Sequence, residues 1–215
     1  TYTLNNIGEI KKKFFRKTGT IPDNVTIMPW FTFLLKNFVR PYQNVLYDDG
    51  RICGICMIPG RSAKFVKKDN IKEYHLSKEN DIYPDKISEF GCRCNELTNG
   101  LVISRLEKIY DHIFIDEIQD LAGYDLDILE LLIHSKLNVT FVGDHRQSTY
   151  TTNASAKNSQ FSGHNIVKKF EEWEKKGLCS MIYAQNCYRC NEHICEFANG
   201  RLQPCACDAR TGPIE

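Results

Sequence analysis

The stretch YDHIFIDEIQD, from Tyr110 to Asp120, joins an apolar run to two adjacent carboxylates. The run Ile113-Phe114-Ile115 is rich in β-branched and aromatic residues, which predicts a buried strand over 112–115. Asp116 and Glu117 follow that strand directly. The pattern therefore predicts two acids at the point where a buried strand ends.

A second stretch of the same design, NVTFVGDHRQSTY, runs from Asn138 to Tyr150. Its first half predicts a strand over 139–142, and Gly143 and Asp144 follow that strand. A helical pattern over 124–136 separates the two predicted strands, as in a βαβ unit with parallel strands. Ligands of open parallel sheets bind at the carboxyl ends of the strands. We therefore expect the acids of both stretches at one ligand-binding edge.

The rest of the chain alternates between predicted helices and strands, apart from a less regular region over 41–99. This alternation predicts an α/β fold in which a parallel sheet is flanked by helices. The region 41–99 carries turn signals and charged stretches, and we interpret it as an inserted subdomain. The further predicted helices lie at about 5–17, 30–39, 101–110, 165–176 and 191–199, and the further predicted strands at 25–28 and 179–184.

The composition of the 215 residues is that of an ordinary globular protein, with 42% hydrophobic and 26% charged residues. The net charge is +1, so a nucleic acid would have to be attracted by a local basic surface. Lys11–Lys13 with Arg16 and Lys17 is a candidate, although such a run is also typical of a solvated helix face. No run of about 18 apolar residues predicts a membrane span. No signal peptide is visible, and we expect a cytoplasmic protein.

Ten cysteines are many for a chain of this length. Without a secretory signal, we interpret them as reduced thiols. The two Cys-x-x-Cys pairs lie far apart in the sequence, unlike the ligands of a compact zinc ribbon, which favours incidental thiols over a metal site. The pairs with a spacing that zinc ligands can have are Cys53 and Cys56, Cys92 and Cys94, Cys187 and Cys190, and Cys205 and Cys207.

Two carboxylates at a strand end are suited to nucleotide hydrolysis. One can hold Mg²⁺, which prefers oxygen ligands, and the other can accept a proton from the attacking water. Gln147 can then orient the γ-phosphate, and an arginine such as Arg189 can stabilise the developing charge. The alternative is that Asp116 and Glu117 only cap the following helix or lie in solvent.

The two stretches together resemble the second and third motifs of superfamily 1 helicases of the UvrD/Rep/PcrA type. Those motifs are an apolar pair before D-E-x-Q-D, and V-G-D-x-x-Q-S-I-Y, where this sequence has FIDEIQD and VGDHRQSTY. The resemblance implies a RecA-like parallel sheet, the core of P-loop NTPase helicases, with ATP and Mg²⁺ as ligands. It also implies that Asp116 holds Mg²⁺, that Glu117 activates water and that Gln147 senses the γ-phosphate.

Three further segments resemble motifs of the same family. TYTLNNIGEI at 1–10 resembles T-F-T-N-K-A-A-x-E-M, and PWFTF at 29–33 resembles T-F-H-S-F; both motifs contact single-stranded DNA in the family. NCYRC at 186–190 resembles N-Y-R-S, which opens the second RecA-like domain and implies that Arg189 reaches the γ-phosphate. Aromatic residues at such spacing are also typical of a core. The candidate DNA-contacting residues are Tyr2, Thr3, Trp30, Phe31 and Tyr150.

Two departures from the family pattern bear most on the expected activity. The phosphate-binding loop G-x-x-x-x-G-K-[ST] does not occur in these residues, and neither do the later second-domain motifs. We therefore expect an internal slice of a longer helicase that is inactive by itself. After the tyrosine of the third motif, the family's R-W-R-G is replaced by TTNA at 151–154. The loss of the base-stacking tryptophan predicts a weaker grip on DNA.

The function expected from this resemblance is that of an ATP-dependent DNA helicase or translocase. Its partners would be single-stranded or partly duplex DNA and the rest of the helicase polypeptide. Two alternatives remain: a helicase-derived module that binds nucleic acid or acts as a scaffold without hydrolysing ATP, and a zinc-stabilised nucleic-acid-binding protein. The predicted division is 1–40 and 100–184 for the RecA-like domain, 41–99 for the inserted subdomain, and 185–215 for the start of a second RecA-like domain.

Overall fold

The computed structural model describes residues 4–148, 152, 155–184, 186–187, 193 and 208–209. The chain divides into two compact units, Thr1–Lys169 and Phe170–Glu215. Four predicted site residues lie outside the described residues, as does nearly all of the predicted helix at 191–199. These four residues are Tyr2, Thr3, Tyr150 and Arg189.

The described part of the chain contains seven α-helices. No helix among the described residues is long and apolar enough to cross a membrane. The second helix continues as a π-helical turn over Leu35–Val39. The helices are α1 (Leu4–Thr18), α2 (Trp30–Leu34), α3 (Ile71–His75), α4 (Pro84–Leu97), α5 (Leu101–Ile109), α6 (Tyr124–Ile133) and α7 (Ile166–Lys175).

Two parallel strands, β1 (His112–Ile115) and β2 (Asn138–Phe141), form the sheet of the first unit. Ile113 is opposite Val139 and Ile115 is opposite Phe141. Side chains alternate across β1, where Ile113 and Ile115 are buried. The parallel pairing joined through α6 confirms the predicted βαβ arrangement. The larger RecA-like sheet stays a prediction, because the described residues of this unit contain only these two strands.

Helix α4 is the central packing element of the first unit and lies within the region predicted as an insertion. It packs against α6 and against α2 with its π-helical turn. Ile87 and Phe90 of α4 are fully buried. A Cβ on Gly91 would lie 2.9 Å from Cβ of Phe38, so the absence of a side chain allows the two elements to approach closely. The division of the chain at 41–99 stays a prediction.

The second unit contains a small aromatic cluster and a short parallel pairing. Phe170 and Trp173 lie edge to face, with ring centroids 5.0 Å apart, and Trp173 is fully buried. The thiol of Cys179 donates to the carbonyl oxygen of Phe170 at 3.8 Å. The strands β3 (Asn186–Cys187) and β4 (Asp208–Ala209) pair in parallel.

The structure corrects two predicted strands. The segment 25–28 forms no strand; instead, the amide of Val25 donates to the carbonyl oxygen of Pro22 at 2.9 Å in a turn. The segment 179–184 forms none either, and its Ile182 is 92% exposed. An apolar run becomes a strand only where a neighbouring chain pairs with it, and neither run has such a neighbour among the described residues.

Candidate active site

The carboxylates that follow β1 lie in a tight turn at the end of that strand. Asp116 and Glu117 are both half-buried, and a 3₁₀ turn over Ile118–Asp120 follows them. Glu117 adopts a left-handed backbone conformation, with φ 58° and ψ 43°. Such a conformation is uncommon for a residue with a side chain and is frequent where the surrounding structure holds a functional group in place.

Gln119 joins the two motifs through its side-chain amide. It is 2% exposed. Its Nε2 donates to Oε2 of Glu117 at 2.6 Å, and its Oε1 accepts from the backbone amide of Asp144 at 3.1 Å. Backbone pairing continues beside it, because the amide of Ile118 donates to the carbonyl oxygen of Val142 at 3.1 Å. The two predicted strand ends therefore meet at one edge, as the sequence predicted.

The turn after β2 adds polar groups to this edge. The carboxylate of Asp144 accepts from Nε and Nη2 of Arg146, each at 2.9 Å. The Arg146 guanidinium is the main cause that lowers the pKa of the Asp144 carboxyl below its usual value. Gln147 is exposed, and its Nε2 donates to Oδ2 of Asp144 at 3.2 Å. Gln147 therefore lies on the same turn as Asp144, beside the edge that carries Glu117.

The helix α1 also reaches Glu117. The side-chain amide of Asn6 donates to Oε1 of Glu117 at 3.3 Å. Together with the bond from Gln119, this contact places one amide donor on each oxygen of the Glu117 carboxylate. Sequence reasoning missed this contact, because a side-chain bond between residues so distant in sequence leaves no local signal.

The carboxylate of Asp116 fits a role as a magnesium ligand. It makes no side-chain hydrogen bond or ion pair with the described part of the chain, and it is partly exposed. No cluster of three or more His, Cys, Asp or Glu residues that could hold a metal occurs among the described residues. Magnesium is commonly held by one or two carboxylates together with water and substrate phosphates. Asp116 therefore suits magnesium delivered with a nucleotide better than a resident metal centre.

A buried carboxylate that sequence reasoning missed lies behind the edge. Asp125 is 1% exposed and accepts from Nε1 of Trp30 at 2.9 Å. It also accepts from the hydroxyl groups of Ser88 and Thr152. Burial raises the pKa of the Asp125 carboxyl above its usual value, while these donors act in the opposite direction. Asp125 connects α2, α4 and the segment that follows the third motif.

The predicted DNA-contacting rings of Trp30 and Phe31 lie in the core. Trp30 is 4% exposed and Phe31 is 8% exposed. The Trp30 ring stacks on Phe33 with centroids 5.7 Å apart. These contacts correspond to the core alternative, so we do not propose these two rings as DNA contacts.

The thiols of five cysteines are free: Cys53, Cys56, Cys92, Cys94 and Cys179. Burial raises the pKa of the Cys94 thiol to about 12, and it also raises the pKa of the Cys92 thiol. No metal-binding cluster includes a described cysteine. The candidate zinc pairs at 187–190 and 205–207 extend outside the described residues.

Comparison with known families gives a match over part of the chain. Residues 64–164 match the family described as UvrD/REP helicase N-terminal domain. The matched segment contains α4, β1, α6 and β2, and therefore the whole edge built around Gln119. Neither a search of curated proteins nor a search of solved structures gave a significant match.

Proposed function

We propose that this chain, whose residues 64–164 match the UvrD/REP helicase N-terminal domain family, supplies the nucleotide-hydrolysing edge of an ATP-dependent DNA helicase or translocase. The observation that carries the proposal is the bridge formed by Gln119. One buried amide connects Glu117 at the end of β1 with the backbone of Asp144 at the end of β2. In this proposal the two strands belong to a RecA-like parallel sheet.

The proposed chemistry assigns a separate task to each acid. Asp116 would hold magnesium, which would neutralise charge on the phosphates of ATP. Glu117 would accept a proton from the attacking water. The left-handed turn and the bond from Gln119 hold the Glu117 carboxylate in a fixed position, as a general base requires.

The family resemblance assigns tasks at the γ-phosphate to two further residues. Gln147 is exposed beside Asp144, where its amide could turn toward a γ-phosphate. Arg189, by its resemblance to the N-Y-R motif, would stabilise charge on that phosphate. We propose that hydrolysis at this edge drives movement along single-stranded DNA and the opening of duplex DNA, together with the rest of the helicase polypeptide.

The first test is ATP turnover by the full-length product of the gene, measured with and without single-stranded DNA. We expect single-stranded DNA to stimulate ATP turnover by the wild type. The Glu117→Gln variant should lose at least about 100-fold in kcat, since general base catalysis contributes that much. Glu96→Gln is the matched control, because Glu96 is exposed on α4 and lies outside the proposed edge. Equal turnover in the Glu117→Gln variant and the wild type would refute the assigned role of Glu117.

The same experiment separates the alternative functions. A protein that binds single-stranded DNA but hydrolyses no ATP would be a non-hydrolysing helicase-derived module, an outcome consistent with the lack of a phosphate-binding loop in these 215 residues. Metal analysis of the purified protein tests the zinc alternative. A structural zinc site binds tightly, so less than about one zinc in ten chains would rule it out.

A further inference from the structure

The helix α1 connects the proposed hydrolysis edge with a basic surface. Asn6, near its start, donates to Oε1 of Glu117 at 3.3 Å. The second half of the helix carries five exposed cations, whereas its acid, Glu9, pairs with Lys12 at 2.9 Å. The cations are Lys11, Lys12, Lys13, Arg16 and Lys17. One rigid element therefore contacts Glu117 at one end and presents positive charge at the other.

The basic surface of α1 has the features of a single-strand binding face. Phe15 is 62% exposed and lies between basic residues. A shallow groove there is lined by Lys11, Lys12, Phe15, Arg16 and Ile21. Proteins that bind single strands combine cations that contact the phosphates with aromatic rings on which bases stack. This combination favours single-stranded DNA as the occupant of the groove. Because the net charge of the whole chain is only +1, the attraction for DNA has to come from such a local basic surface.

The contact with Asn6 restrains the residue proposed as the general base. The amide of Asn6 directs Oε1 of Glu117 toward α1 and occupies an oxygen that could otherwise accept from the attacking water. Of the two amide donors on Glu117, Gln119 is buried and belongs to the same turn. Asn6 is only part-buried and belongs to a separate helix. A small displacement of α1 would therefore remove the Asn6 bond and leave the Gln119 bond in place.

We propose that Asn6 restrains Glu117 in the DNA-free protein, and that single-stranded DNA bound along the basic face of α1 removes this restraint. The inference rests on the proposed function and adds to it a positioning residue and a DNA path. In the T-F-T-N-K-A-A-x-E-M pattern, the position of Asn6 is an alanine, which has no amide to donate. The restraint is therefore a property of this chain and not of the pattern that it resembles.

The main test compares Asn6→Ala with wild type in the full-length protein. We expect the rate of ATP turnover without DNA to rise about fivefold, as the loss of one hydrogen bond allows, while the rate at saturating DNA stays unchanged. The stimulation by DNA then falls by the same factor. Asn24→Ala is the matched control, because Asn24 is exposed in the turn after α1. It should keep both rates of the wild type.

A second pair of variants tests the basic face. Lys11→Gln combined with Arg16→Gln should weaken single-stranded DNA binding at least about tenfold and reduce its salt dependence, because phosphate contacts are lost. Lys64→Gln combined with Lys67→Gln removes two exposed charges elsewhere and should leave binding unchanged. Equal DNA affinity in the two double variants would overturn the proposed path.

A readout without nucleotide tests the coupling itself. The side-chain amide resonance of Asn6 in a ¹H–¹⁵N spectrum, identified by its loss in Asn6→Ala, should shift when a thymidine oligonucleotide is added. The shift should be absent in the variant with Lys11→Gln and Arg16→Gln. If DNA stimulates ATP turnover by the wild type, but Asn6→Ala has the same DNA-free rate of turnover as the wild type, this inference alone is overturned. A wild type without any ATP turnover would overturn the proposed function, and this inference with it.

Discussion

Gly143 lies so close to Gln119 that a Cβ atom on Gly143 would stand 2.5 Å from Oε1 of Gln119. The same Cβ would lie 2.7 Å from Cγ1 of Ile118. This approach allows Gln119 to accept the backbone amide of Asp144, the residue after Gly143, at 3.1 Å. The connection between the two motifs therefore depends on a position without a side chain.

The variant Gly143→Ala should disrupt this connection. The added methyl group must displace Gln119 or Ile118, and overpacking of this kind costs about 1–3 kcal/mol of stability. Because Gln119 also donates to Glu117, ATP turnover should fall together with stability. Chemical denaturation and the turnover assay measure the two effects.

The control for this substitution is Gly8→Ala in α1, where an added Cβ meets no atom within 4 Å. In a helix interior, alanine is favoured over glycine by about 0.5–1 kcal/mol, so Gly8→Ala should keep or raise stability. Denaturation curves of Gly143→Ala that overlay those of the wild type would show that the edge tolerates a side chain at this position.

A second prediction concerns the hydroxyl group of Thr152, which is 5% exposed. It donates to Oδ2 of Asp125 and accepts from the backbone amide of Ala122 at 3.1 Å. Thr152→Val keeps the shape of the side chain but leaves a buried carboxylate oxygen and a buried amide without this partner. We expect a loss of about 1–3 kcal/mol in the free energy of unfolding.

The conservative variant Thr152→Ser provides the comparison. Serine retains the hydroxyl group and loses only a methyl group, so most of the stability should return, at a remaining cost of about 1 kcal/mol. Thermal or urea unfolding of the two variants shows whether the hydroxyl group or the methyl group of Thr152 provides the stability. If Ser and Val variants are equally destabilised, the methyl group and not the hydrogen bond would be the important feature.

The edge was predictable from sequence because its signals are local. β1 lies where the apolar run places it, β2 is shifted by one residue, and the acids follow β1 directly. The role of Asp125 was not predictable in this way. Its partner Trp30 lies 95 positions away, and its partner Ser88 lies 37 positions away. A local pattern indicates which face a side chain occupies, but it does not identify a distant partner.

The helix α4 was missed for a different physical reason. Its buried face contains polar residues that interrupt the apolar periodicity. Asp85 accepts from the amide of Ser62 at 3.2 Å, and Glu89 accepts from the hydroxyl of Tyr74 at 3.1 Å. Burial of such groups is tolerated because they have partners. Since these partners come from other segments, the sequence of the helix alone did not reveal it, and the region 41–99 was interpreted as a less regular insertion.

A third prediction follows from His75, a fully buried imidazole at the end of α3. Its Nδ1 lies 3.1 Å from the carbonyl oxygen of Ile71, which can only accept, so Nδ1 carries the proton. Its Nε2 has no hydrogen-bond partner among the described residues. Burial lowers the pKa of His75 from 6.5 to about 4, and the charges of Arg93 and Lys86 add to this effect.

The lowered pKa makes stability depend on pH in a defined direction. Between the unfolded value of 6.5 and the folded value of about 4, the unfolded chain binds a proton that the folded protein excludes. The folded state should therefore lose stability as the pH falls through this window, by about 2 kcal/mol between pH 7 and pH 5. Urea unfolding of the wild type and of His75→Phe at both pH values measures this loss in the free energy of unfolding. The phenylalanine variant should lack it, and equal pH slopes in the two proteins would mean that His75 is protonated in the folded state.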